Sequence, residues 1–454
     1  MRLAALADLR RGSPRIATRR HFLAAAGALG ASLSAAHAFG KSLPELLPPA
    51  SGRRVVIVGG GWAGLAAAHS LRQLAPELDV VLIDKDSGFR SLPLSNKWLV
   101  DRTPDALMQQ EYYVPARAYG YQAIRAEVNA IDRDQRRIHT AQGELSYDWL
   151  ILAAGIRYDY SAWFGDDVRA ADQARRHYPA GFVVGELDAL KRKLAEFNGG
   201  DLLMTIPPPP YRCPPAPYER AVMLAWMLKT RRIKGRLVLV DPGGGMQRFN
   251  RMFAERYKDQ IVHLTHALVK SIDPFKKTLT TDFDELRFDD AILIPPQQAA
   301  DLVWQAGLIG HDGGGKSSGW ADVDPLHLHA PDDERVFLIG DLLGRVSPLF
   351  GHYPKTAHMA HQLGRIAAEE VAGRARGKLP ERRLPESICH VFTDVEPMEM
   401  MRIEAQYRLR GDGLIVQTVH QHEDPQPRGE DLQWAQALYA EMLAFKSLRP
   451  DLAQ

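Results

Sequence analysis

The chain has 454 residues, 45% of them hydrophobic and 25% charged, with a formal charge of +2, the composition of a globular chain too long for one ordinary core. Past the N-terminus it holds no apolar run of the roughly eighteen residues that a membrane-spanning helix needs. The first 38 residues carry six Arg and one Asp, so the remaining chain has a charge of about −3, and a nucleic-acid partner is not indicated.

Residues 1–38 read as an export signal. Thr18-Arg19-Arg20-His21-Phe22-Leu23 has the twin-arginine arrangement, a modestly apolar run follows, and Ala36-His37-Ala38 offers a small-x-small cleavage site. Such export carries folded proteins, which suits a chain that acquires a cofactor before reaching the periplasm.

A strand over 53–58 leads straight into Gly59-Gly60-Gly61-Trp62-Ala63-Gly64 and a helical run over 65–74. A second strand over 80–83 ends in Asp84, followed by Lys85. This is the dinucleotide fingerprint: the glycines Gly59, Gly61 and Gly64, with Ala63, let backbone approach a diphosphate at a helix N-terminus, and Asp84 stands where a carboxylate takes ribose hydroxyls. Asn96 and Val128 are counted among the cofactor contacts. Residues 147–155, with Ala154 and Gly155, resemble the strand-to-crossover motif of two-dinucleotide-domain flavoproteins, and 336–341, ending Gly340-Asp341, resemble their second flavin motif. FAD is therefore the expected cofactor, with Asp341 on its ribityl chain.

Between these motifs lies a second βαβ frame: a strand over 201–206, a helix over 221–229 and a strand over 237–241. Its turn is Pro207-Pro208-Pro209-Pro210-Tyr211-Arg212-Cys213-Pro214-Pro215-Ala216-Pro217, poor in amide donors and in close backbone approach. A nicotinamide cofactor is not expected there, and Cys213 occupies its place. After Lys378 comes a third unit that begins near Cys389 and ends in a helix over 431–446. The expected architecture is α/β. It comprises an FAD-binding domain (53–160 and 297–378), a degenerate second Rossmann domain (161–296) and a C-terminal α+β domain (379–454).

Cys213 and Cys389 are the chain's two cysteines. In an oxidising compartment their residue types allow either a structural staple or a redox pair. Glu219, at the start of the helix after Cys213, reads either as a base or as a carboxylate favoured by the helix dipole.

These stretches resemble the flavoprotein subunit of flavocytochrome c sulfide dehydrogenase, a relative of the sulfide:quinone oxidoreductases. The resemblance rests on residues 212–220, Leu94-Ser95-Asn96, Ile294-Pro295-Pro296-Gln297, Pro354-Lys355 and Cys389. It implies that Cys213 and Cys389 form a redox disulfide over the flavin, with Glu219 as base and Lys355 near the flavin's pyrimidine end. Hydrosulfide is then the substrate, and sulfane sulfur or polysulfide the product. Electrons would leave to a c-type cytochrome, on a partner because the chain has no C-x-x-C-H, with Trp434 in the last helix as a candidate contact. Two departures stand out. Residues 91–96 hold no cysteine, so the FAD is expected to be non-covalent, and a longer stretch over 342–354 is expected to carry Phe350, His352 and Tyr353 toward the active site. The rival readings are a sulfide:quinone oxidoreductase docked at the membrane and a non-catalytic flavin-binding assembly subunit with structural cysteines.

Two patterns are discounted. Residues 310–317 satisfy the P-loop pattern, but the residues that follow do not read as a helix. His358 and His361 lie one helical turn apart without supporting ligands, so no metal is expected.

Overall fold

The computed structural model describes residues 44–445, and the export-signal reading of residues 1–38 lies outside them. β1 (Arg54–Val58) is apolar on both faces and buried throughout, as a central parallel strand must be. It leads through the glycine turn into α1 (Trp62–Leu74) and lies between β2 (Asp79–Asp84) and a later strand. A short α2 (Ser95–Leu99) follows, then β3 (Gln122–Arg125), which extends the sheet beyond β2, and β4 (Trp149–Leu152), the other neighbour of β1. The second sheet is built on β5 (Gly199–Thr205), followed by α3 (Ala216–Thr230), β6 (Lys234–Val240), β7 (Ile261–Leu264) and β8 (Asp290–Ile292), in the order β7-β6-β5-β8, all parallel.

The chain then returns to the first sheet. β9 (His329–Ala330) and β10 (Asp333–Leu338) complete the order β9-β10-β4-β1-β2-β3, and α4 (Ala357–Ala375) packs on α1. Last come β11 (Glu386–Val395), β12 (Met398–Leu409) and β13 (Ile415–Asp424), a three-stranded antiparallel sheet, and α5 (Glu430–Leu443). The class is α/β with two Rossmann-like parallel sheets, as the sequence indicates.

Element boundaries differ from expectation for local reasons. α1 starts at Trp62 rather than 65 because Gly59, at φ +108°, turns the chain at once. α3 starts at Ala216 rather than 221, since proline in a first helical turn gives up only an amide that would lack a partner anyway. α5 closes at Leu443, where Ala444 turns left-handed at φ +52°. Residues 309–311 and 317–321 form the two arms of a hairpin, so the P-loop look-alike has no helix N-terminus to offer a phosphate. Among the described residues no His, Cys, Asp and Glu cluster is arranged to hold a metal ion.

Two glycines set the spacing of α1. A Cβ on Gly64 would stand 1.9 Å from the Gly59 carbonyl oxygen, and one on Gly364 of α4 would stand 2.3 Å from the Ala63 carbonyl oxygen. The obstacle in each case is backbone, so it cannot swing aside. Gly364→Ala is expected to force α1 and α4 apart at a cost of about 1–3 kcal/mol and to loosen whatever α1 holds at its N-terminus. Thermal unfolding together with retained flavin after gel filtration checks this; unchanged values in both would refute it.

Candidate active site

The C-terminal ends of β1, β4 and β10 and the N-terminus of α1 open onto a cavity. Gly61, Ala63, Gly155, Gly340 and Asp341 line this side of it. The residues suit a dinucleotide. At Gly61 no atom lies within 4 Å of where a Cβ would be, leaving the α1 N-terminus clear for a diphosphate. Asp84 closes β2 and does not line the cavity; its Oδ2 accepts the Gly60 N–H at 2.6 Å and its Oδ1 the Asp86 N–H at 2.8 Å, so it braces the glycine turn. Burial raises its pKa against these bonds. Lys85 is exposed, and neither it, Val128 nor Ala154 lines the cavity.

The opposite wall comes from the degenerate domain. The proline turn after β5 delivers Cys213 in the left-handed region at φ +50°, a backbone geometry that persists only where the surroundings fix it. Here the fixing contacts are explicit. The Cys213 N–H donates to the Lys355 carbonyl at 2.9 Å, and Arg212 donates through its side chain to Asp341 Oδ2 and to the Phe182 carbonyl, both at 2.6 Å. β11 of the C-terminal unit brings Cys389 to the same wall. The two cysteines are free thiols and line the same cavity. The adjacent Cys389 thiol, burial and the charge of Glu219 together push the Cys213 thiol well above its ordinary range.

Glu219 lies in the first turn of α3 and also lines the cavity. Its Oε1 accepts the Phe392 N–H at 2.9 Å and its Oε2 the Asn96 amide at 2.5 Å. Burial outweighs these donors and raises its pKa to about 7.

Several expectations need correction. Asn96 lines the cavity, but its amide serves the protein rather than a cofactor: it bridges Glu219, Arg220 and the Ala216 carbonyl. Lys355 lines the cavity too, yet its Nζ donates to the Asp341 and Leu343 carbonyls at 2.8 and 2.7 Å and sits 3.7 Å over the Trp320 ring. Burial lowers its pKa to about 7, so its ammonium orders its own loop rather than presenting a free charge. Phe350, His352 and Tyr353 do not reach this cavity. They line a second one, together with Tyr211, Tyr218 and Asp241. There the carboxylate closing β6 is already occupied: Asp241 accepts from Tyr218 Oη at 2.8 Å and the Gly243 N–H at 2.7 Å, and meets His263 Nε2 at 3.0 Å. Trp434 faces inward, stacked on Trp62 at 5.8 Å between ring centres, and so lines the cavity instead of an outer contact surface.

Sequence reasoning missed the aromatic wall of Trp62, Phe89 and Trp434, and also Arg212, His358 and His390, all on the cavity. Arg212 and His390 adjoin the two cysteines in sequence, a signal that could have been used. His358 was set aside as a bland histidine. It is buried, and its Nδ1 accepts the Ile388 N–H at 3.0 Å, beside Cys389.

Comparison with known proteins fits this geometry. Residues 53–176 match the pyridine nucleotide-disulphide oxidoreductase family, and residues 187–295 match the family described as sulfide dehydrogenase (flavocytochrome c) flavoprotein chain, central. The sulfide-quinone reductase of Aquifex aeolicus is 24% identical over 367 residues, 74% of this chain and 80% of that protein. The mitochondrial sulfide:quinone oxidoreductase of Mus musculus is 23% identical over 316 residues, 63% of this chain and 65% of that one. In structure, the Aquifex aeolicus sulfide:quinone oxidoreductase superposes with a TM-score of 0.64 at 20% identity, covering 86% of this chain and 89% of the other. A NAD-dependent persulfide reductase from A. fulgidus gives 0.58 at 13%, covering 87% and 79%. With the glycine cradle, the cavity and the two matched domains, the chain is a two-dinucleotide-domain flavoprotein oxidoreductase that carries FAD.

Proposed function

We propose that this protein is a periplasmic sulfide dehydrogenase that oxidises hydrosulfide through a Cys213–Cys389 disulfide and passes the electrons by way of FAD to a c-type cytochrome. The observation that carries the reading is that Cys213, Cys389 and Glu219 line one and the same cavity, the one that the glycine cradle opens onto. The matched central domain and the sulfide-oxidising relatives support it.

In the oxidised protein, hydrosulfide attacks one sulfur of the disulfide. The old S–S bond breaks, a persulfide forms on that cysteine, and the other cysteine leaves as a thiolate holding the electron pair. FAD, when bound, would supply a two-electron acceptor for that pair that can also release electrons singly, as a c-type cytochrome requires. As the pair departs, thiolate and persulfide sulfurs join into a trisulfide and the persulfide proton passes to Glu219. A second hydrosulfide then restores the disulfide and releases hydrodisulfide.

Residues 91–96 contain no cysteine to tether the cofactor, and acid precipitation is expected to release the flavin. Gly61 and the α1 N-terminus would hold the diphosphate, and Asp341 the ribityl chain. The quinone-linked names of the two relatives favour a second reading of the acceptor. Anaerobic titration of the purified protein decides both points: about one equivalent of sulfide is expected to bleach the flavin, and the bleached protein to reduce cytochrome c without added quinone. No bleaching would sink the sulfide reading, and reduction of decylubiquinone alone would replace the acceptor. Recovery of the protein from the cytoplasmic rather than the periplasmic fraction would overturn the location.

A further inference from the structure

Three consecutive polar groups meet under the cysteine wall. Asn96 Nδ2 donates to Glu219 Oε2 at 2.5 Å and to the Ala216 carbonyl at 3.0 Å, while Asn96 Oδ1 accepts from Arg220 Nε at 2.9 Å. The partners settle the orientation of the amide. A guanidinium can only donate and a backbone carbonyl can only accept, so the flipped amide would oppose both. Arg220 is itself immobile, 2% exposed, with its remaining nitrogens on the Ala180 and Gly181 carbonyls and its guanidinium 4.6 Å over the Phe182 ring. On the far side of Glu219 the Phe392 N–H occupies Oε1.

We propose that Asn96 is a positioning residue for Glu219: anchored by Arg220, its amide fixes the carboxyl so that the exchangeable proton faces the cavity and sets the pH at which that proton is exchanged. Each carboxyl oxygen accepts one backbone or amide N–H, and the residue lines the cavity, so a lone pair on each oxygen stays unclaimed by these donors. The other charged and titratable groups around Glu219 are Cys213 on the turn before α3, Arg220 on α3, Cys389 and His390 on β11, and the buried ion pair of Lys97 on α2 with Asp431 on α5. Lys97 and Asp431 are bound to each other at 3.0 Å, so the groups that touch the carboxyl itself are the Asn96 amide and the Phe392 N–H. The chemical consequence rests on the sulfide reading, in which Glu219 takes the persulfide proton, but the positioning itself does not.

The test is an infrared pH titration of the Glu219 carboxyl in the resting, flavin-loaded protein, with the band assigned by its loss in Glu219→Gln. Asn96→Ala removes the donor and should raise the midpoint by about one unit, the worth of one hydrogen bond to a charged group. Asn96→Asp keeps an oxygen for Arg220 at nearly the same size but turns a donor into a like charge, and should raise it further. A purely packing role for Asn96 predicts lost stability with an unmoved midpoint. If Asn96→Ala fails to fold, the isosteric aspartate variant decides alone. A midpoint that stays put in a folded, flavin-retaining Asn96→Asp overturns the proposal. No sulfide is present in this measurement, so failure of sulfide to bleach the flavin would overturn the sulfide reading and leave the titration standing.

Discussion

Cys213→Ser is expected to slow sulfide-dependent flavin bleaching by at least about a thousand-fold, the scale on which loss of a covalent group acts, while flavin content stays that of the parent. The separation of effects follows from the geometry. Cys213 holds its place through its backbone: the N–H bond to the Lys355 carbonyl and the bridge between Arg212 and Lys355 survive a change of Sγ to Oγ. None of the glycine-cradle residues is touched. On the proposed function, what disappears is the disulfide, and with it the electrophile that hydrosulfide attacks. Cys389→Ser should fail equally in turnover, since a disulfide needs both sulfurs, yet leave Cys213 able to react with an alkylating reagent. Stopped-flow bleaching under anaerobic conditions measures the first effect and mass spectrometry of alkylated peptides the second. Unimpaired bleaching in Cys213→Ser would end the redox-pair proposal and favour structural cysteines.

How much of this was legible beforehand depends on how local each signal is. The first βαβ unit announces itself because strand, glycine turn, helix and acid follow within about thirty residues, and each is fixed by its own neighbours. The proline turn was legible as a turn that could not cradle a diphosphate. The partners of the polar groups were not. Asn96 is counted among the cofactor contacts and belongs to a stretch that carries the resemblance, but the residues that claim its amide are more than a hundred positions away, on α3. The resemblance places Lys355 near the flavin's pyrimidine end, but nothing in Pro354-Lys355 reveals that its ammonium turns back on the Asp341 and Leu343 carbonyls. Trp434 was a candidate partner contact that followed from the resemblance, and nothing in the sequence says what it meets. It meets Trp62, and the two together close the flavin cavity. The long 342–354 stretch went to the second cavity for a comparable reason: Phe350 and Tyr353 pack on Tyr407 of β12, a partner supplied by a different sheet.

Glu219→Gln joins the chemistry to stability, and the two consequences have opposite signs. Burial raises the carboxyl of Glu219 from its ordinary 4.5 to about 7. The folded protein therefore keeps a proton there that the unfolded chain has already lost between those values. A raised carboxyl contributes stability that is complete below pH 4.5 and is lost as the pH climbs to about 7, beyond which the loss is constant. Relative to the glutamine variant, the parent should lose on the order of 3 kcal/mol across that window, so the stability difference between them shifts in the variant's favour as pH rises. Chemical denaturation at pH 4.5 and at pH 8 reads this directly. Catalysis should move the other way. If Glu219 takes a proton during turnover, bleaching in the parent gains a rise as the pH passes through about 7, whereas the variant, which lacks this carboxyl, should be about a hundred-fold slower or worse at pH 8 and lose the part of the rise that Glu219 supplies. A variant that keeps the parent's rate and pH profile would return Glu219 to the role of a helix-start carboxylate. A variant that is slow and lacks that rise, yet gains nothing in relative stability between pH 4.5 and 8, would mean that the carboxyl acts as a base without a raised pKa.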